Sequence, residues 1–75
     1  MQIQEAVKES LKSGKWIRRK EFVAENGKTE CRILPTDSGD CCIASIWESG
    51  NEKSRRRCWN PKAEDLIAED WEIVD

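Results

Sequence analysis

With 75 residues, 15 acidic and 13 basic side chains and a formal net charge of −2, the chain has room for one domain, residues 1–75, and carries no strong field of either sign. So short a chain buries only about 60% of the surface it exposes when unfolded, so its core is marginal without help from a metal, a disulfide or a partner subunit. The near balance of charge argues for neither nucleic acid nor a membrane surface, and no apolar run is long enough to cross a bilayer.

Met1-Gln2-Ile3-Gln4-Glu5 lacks the basic-then-apolar pattern of a signal peptide, so the protein is expected in the cytoplasm. Ile3, Ala6, Val7 and Leu11 then recur at helical spacing, with Gln4, Glu5, Lys8, Glu9 and Lys12 on the other face. Acidic Glu5 near the start, Lys12 near the end and Gly14 just beyond suit the helix dipole and a left-handed stop, which predicts a helix over Ile3 to Ser13. From Lys15 the pattern changes. Trp16, Ile17 and the basic trio Arg18-Arg19-Lys20 predict a first strand that carries its charges away from the core, followed by Phe22, Val23 and the turn signal Glu25-Asn26-Gly27-Lys28. Thr29 to Leu34 is a second strand, closed by Pro35 and the turn-rich Thr36-Asp37-Ser38-Gly39-Asp40.

Cys41 to Trp47 is the longest apolar run, and its β-branched and aromatic content predicts a central strand buried on both faces. Glu48 to Lys53 is then a polar hairpin loop, and Ser54 to Trp59 returns as a fourth strand. Asn60 is a good N-cap and Pro61 fits the first helical position, where no amide donor is needed. The helix they start is too short to stand alone, so Leu66, Ile67 and Ala68 must pack on something, after which Trp71-Glu72-Ile73 alternates like a final strand. The order α-β-β-β-β-α-β predicts an α+β fold: a small antiparallel sheet packed on an N-terminal helix, with a short C-terminal helix and final strand.

Four tryptophans, Trp16, Trp47, Trp59 and Trp71, are hard to hide in so small a monomer, which places some of them at a subunit interface or in a pocket. Cys31, Cys41, Cys42 and Cys58 have no histidine beside them and lack the paired spacing of a zinc site. Reducing cytosol disfavours bridges, and adjacent Cys41 and Cys42 on a strand point to opposite faces, so all four are expected to serve as small buried hydrophobes. No metal and no cofactor is expected.

An enzyme is hard to build from this inventory. The chain has no histidine to act as a base near neutral pH, no activated serine motif and no glycine-rich phosphate loop. Glu64, Asp65, Glu69 and Asp70 could form a glycosidase-type carboxylate pair or a magnesium site, yet acids on a short helix are ordinarily a solvated face. Arg55-Arg56-Arg57 invites a nucleic-acid role, but alternate residues of a strand face opposite ways, and a charged edge that discourages sheet-to-sheet aggregation is the ordinary explanation.

The run Trp59-Asn60-Pro61-Lys62-Ala63-Glu64-Asp65-Leu66-Ile67-Ala68-Glu69-Asp70-Trp71-Glu72, together with Glu5-Ala6 in the first helix and Ile17-Arg18-Arg19-Lys20-Glu21-Phe22 after it, resembles the phage Thoeris anti-defence 2 family. Members of that family are sponges: they bind the cyclic ADP-ribose signal made by bacterial TIR-domain proteins and hold it away from its effector. The resemblance implies a homotetramer built as a dimer of dimers, and a ligand site formed by Arg19 and Phe22 of an Arg-x-x-aromatic element with Trp59, Asn60 and Asp65 of the Trp-x-Pro-and-helix element. Many members carry tryptophan where Phe22 stands, and the middle of this chain is short for the family. Chemistry fits such a ligand, since aromatic rings stack on bases, arginine pairs with phosphate, and carboxylate or amide groups meet ribose hydroxyls. Each residue also has an ordinary structural role: Trp59 as a core ring, Asn60 as a cap, Asp65 as a first-turn acid. For Asn60 and Trp71 the structural role is the one expected. Two alternatives stay open beside a cyclic ADP-ribose sponge, namely a sponge for the cyclic oligonucleotides of CBASS defence and a small nucleic-acid-binding regulator, the latter marked by steep salt dependence. A third is an interaction protein with no small ligand.

Overall fold

The computed structural model describes residues 1–37, 39 and 42–74. Helix α1 (Ile3–Ser13) has both of its predicted ends. Gly14 takes φ 73°, a left-handed conformation that costs glycine nothing, and its N–H closes the helix on the Ser10 carbonyl at 2.7 Å. The buried stripe runs through Ala6 and Ser10, flanked by Ile3 and Val7, while Leu11 stays 52% exposed. Ser10 can face inward because its hydroxyl donates to the Lys15 carbonyl at 2.5 Å.

Strands β1 (Trp16–Arg19), β2 (Thr29–Leu34), β3 (Ile43–Glu48), β4 (Asn51–Arg56) and β5 (Trp71–Val74) form one antiparallel sheet in the order β4-β3-β2-β1-β5. A 3-10 turn (Lys20–Phe22) follows β1, and a short helix α2 (Ala63–Ile67) precedes β5. This is the predicted α+β class and element order. The final strand returns beside the first, pairing Ile17 with Ile73 and Arg19 with Trp71. The core beneath α1 is Ala6, Ile17, Ile33 and Trp71.

The second hairpin departs from expectation. The central strand is β2, whereas β3 lies one place from the edge and leaves Ile46 42% exposed. Helix α1 packs on β1 and β5, so β3 and β4 lie beyond its cover, and every residue of β4 is exposed. The turn is tighter than the predicted loop. Ser49 (φ 51°) and Gly50 (φ 82°) both take positive φ, the geometry of a two-residue hairpin turn, so β4 starts at Asn51 and ends at Arg56 rather than spanning Ser54 to Trp59. The cysteines are not uniformly buried either: Cys31 and Cys42 are partly buried and Cys58 is exposed, while Cys41 lies outside the described residues. The predicted turn from Thr36 to Asp40 likewise falls in part outside them.

The face of the sheet opposite α1 shields itself. Trp16 and Trp47 meet edge to face at 5.8 Å, with the Arg32 guanidinium 4.1 Å from the Trp47 ring centre and that of Arg55 5.4 Å from Trp16. Arg18 bridges Glu30 at 2.6 Å and Glu72 at 2.9 Å on the same face. These planar cations cover indole area that no helix covers.

Candidate ligand site

The strand alternation that sends Ile17 into the core sends Arg19 in after it. Arg19 is 8% exposed, so it does not carry its charge away from the core as predicted; Arg18 alone does so within β1. A buried guanidinium must be paired, and Arg19 meets three carboxylates: Glu21 at 2.7 Å, Asp65 at 2.8 Å and Asp70 at 3.0 Å. Each contact uses a different guanidinium nitrogen. The hydrogen bonds Arg19 donates to Asp65 and then to Asp70 raise its pKa further above its ordinary value.

Asp65 is the second hub. One carboxylate oxygen accepts from Arg19 and the other from the Lys62 amide at 2.8 Å, while its backbone carbonyl accepts the Trp71 indole N–H at 2.8 Å. The Lys62 bond sets where α2 begins. Lysine has no side-chain acceptor, so the bond its amide donates to the Asp65 carboxylate serves as the cap, and the N-cap is Lys62 rather than the predicted Asn60. Turning Asp65 inward points Leu66 and Ile67 outward, at 52% and 80% exposure, so among the described residues these two stay largely open, and of the three expected to pack Ala68 joins the core.

Trp71, 2% exposed, joins the aromatic residues. Phe22 meets it edge to face at 5.5 Å and Trp59 does so at 5.8 Å, and the Arg19 guanidinium lies 6.0 Å from the Phe22 ring centre. Trp59 reaches this position through a bend at Cys58, whose φ of 54° is rare for a residue with a side chain, and its N–H is held by the Cys42 carbonyl at 2.8 Å. Four of the five predicted residues, Arg19, Phe22, Trp59 and Asp65, therefore share one cluster around Trp71, and Asn60 stands exposed beside it. Recesses among the described residues lie elsewhere. One of about 410 Å³ is lined by Glu5, Lys8, Glu9, Lys12, Met1 and Ile73, and one of about 390 Å³ by Gln2, Ile3, Gln4, Leu66 and Ile67.

Sequence reasoning missed Asp70 and Glu21 as partners of Arg19. The signal was present in the alternation of Ile17 and Arg19, because an inward arginine demands acids. Of the two, Asp70 was expected on a solvated helix face together with Asp65. The sequence model of the Thoeris anti-defense 2-like domain matches residues 1–74. The chain belongs to that family. Comparison with curated proteins and with solved structures gave no match. Within the Thoeris anti-defense 2-like family, the quoted C-terminal run thus corresponds to a folded unit: the cap of α2, the ion cluster and the buried Trp71. Membership supports a phage anti-defense role directed at Thoeris.

The ion pairs carry a pH dependence. Arg19, by hydrogen bond, holds the Asp70 carboxyl below its usual range, and Arg55 followed by the Ser45 hydroxyl pulls Glu52 down to about 2. Burial pushes Glu30 up, but Arg32 and Arg18 outweigh it and leave its pKa lowered. Groups with depressed folded-state values stabilise the fold above their unfolded values of about 4 and lose that contribution as pH falls through the folded ones. Urea midpoints should therefore be level near neutral pH and fall between about pH 4 and 2; a midpoint unchanged at pH 2.5 would show these pairs to be without effect.

Proposed function

We propose that the protein is a non-enzymatic, homo-oligomeric sponge that sequesters a cyclic ADP-ribose isomer made by TIR-domain proteins, with Arg19, Phe22, Trp59, Asn60 and Asp65 forming its ligand site. The observation that carries this is the convergence of Phe22 and Trp59 on Trp71, whose indole N–H donates to the carbonyl of Asp65, the partner of Arg19, in a chain whose family acts against Thoeris. Partly exposed Phe22 and Trp59 offer ring faces to a base, and exposed Asn60 offers an amide to a ribose or base edge. Arg19 and Asp65, tied to each other, join the turn that carries Phe22 to α2, which follows Trp59 and Asn60 in the chain. Mass action suffices as mechanism: bound signal is withdrawn from the effector and is released intact when the protein denatures.

Isothermal titration with a panel of cyclic ADP-ribose isomers, followed by recovery of ligand after heating, tests this. Intact signal that still activates a Thoeris effector is the expected result, and a hydrolysed product would instead make the protein an enzyme. Trp59→Ala should weaken binding about 5- to 150-fold, the equivalent of one lost base–aromatic stack of ~1–3 kcal/mol, while the protein stays folded. Phe22→Trp should preserve or tighten binding. A titration with cyclic oligonucleotides in the same series separates a CBASS sponge from a Thoeris one.

A further inference from the structure

A cyclic ADP-ribose isomer brings two phosphates, and the guanidinium that the sequence offers for them is already engaged. Every nitrogen of Arg19 holds a carboxylate, and Arg19 with Glu21, Asp65 and Asp70 leaves two formal negative charges at the cluster. A doubly anionic ligand approaching that cluster needs other cations, and breaking the Arg19 pairs to obtain one would strand Asp65, whose side chain is 9% exposed. Two lysines flank the cluster. Lys20 follows Arg19 in the chain and opens the turn that carries Phe22, and it is close enough for its charge to help keep Asp70 ionised. Lys62 is tied to the cluster through its amide, which donates to Asp65. Both side chains are exposed, and neither has an ion pair among the described residues.

We infer that Lys20 and Lys62, not Arg19, pair with the phosphates of the sequestered signal, while the Phe22–Trp59 ring faces take a base. This rests on the sponge function proposed above and divides the labour within that site. Ammonium groups on flexible stems suit it, because they approach a pyrophosphate as point charges without disturbing the buried ion cluster. Selectivity follows: a ligand keeping the base and sugars but lacking phosphates would lose the lysine contacts and keep the stacking.

Titration of a cyclic ADP-ribose isomer into wild type, K20Q, K62Q and the double variant, at low and high salt, decides the matter. Both lysines are exposed and Lys62 caps α2 through its backbone, so melting temperatures should be unchanged. The double variant should lose about tenfold or more in affinity and most of the salt dependence. Inorganic pyrophosphate should compete with the isomer on the wild type and fail to do so on the double variant. Wild-type affinity and salt response in the double variant would overturn the lysine assignment and leave the sponge intact. A wild-type protein that binds no isomer would remove the sponge function and this inference with it.

Discussion

Trp71→Ala should leave a chain that melts at least about 12 °C below the wild type, because one ring holds the core, the aromatic cluster and the helix cap together. Truncating a buried tryptophan costs ~3–5 kcal/mol, and a domain of this size has only about 4–11 kcal/mol in total. The loss goes beyond volume. Phe22 and Trp59 each lose an edge-to-face partner, and the Asp65 carbonyl loses the indole N–H it accepts at 2.8 Å. Trp71→Phe separates these contributions, since it keeps a ring for Phe22 and Trp59 but removes the donor, and it should melt between the two. Thermal melting followed by circular dichroism, with titration of the surviving fold, is the measurement. An alanine variant that melts within about 3 °C of the wild type would show that Trp71 is not the hub of the cluster.

Trp71 was legible as structural, and so were the two ends of α1 and the whole of β2. In each case a local signal agreed with the packing: helical spacing closed by Gly14, alternation closed by Pro35, and a terminal Trp-Glu-Ile alternation. The misses arose where a distant partner overrode a sound local signal. Asn60-Pro61 is a good start for a helix, yet Asp65 is drawn toward Arg19, from the far side of the chain, and caps Lys62 instead. The run Cys41 to Trp47 has the composition of a doubly buried strand, but α1 is too short to cover β3 as well as β1 and β5. Ser49 shows the same limit on a smaller scale, since nothing in serine announces a positive φ. As for the candidate site, its residues were named through the family resemblance of the chain, and that Arg19 is saturated by carboxylates needed the fold.

Ile67→Glu should dissolve the homo-oligomer proposed above and lose the ligand with it. Ile67 is 80% exposed and Leu66 52% exposed, and both line the recess shared with Ile3, Gln2 and Gln4 at the start of α1. On a chain that works alone, a glutamate at so open a position would change stability by no more than about 0.5 kcal/mol and would leave binding untouched. In a symmetric assembly the same patch meets its own copy, so one substitution places an unpaired carboxylate on both sides of a desolvated contact. α2 connects the two effects. Leu66 and Ile67 follow Asp65 directly, so the segment that would seat a neighbouring subunit is anchored by the ion cluster at the candidate site. Light scattering beside titration of a cyclic ADP-ribose isomer measures both. The expected pattern is an oligomeric wild type with tight binding and a smaller, still folded Ile67→Glu species with neither. If the variant keeps the wild-type size and affinity, or if a monomeric wild type binds the signal, α2 is not the seat of assembly and the site is complete within one chain.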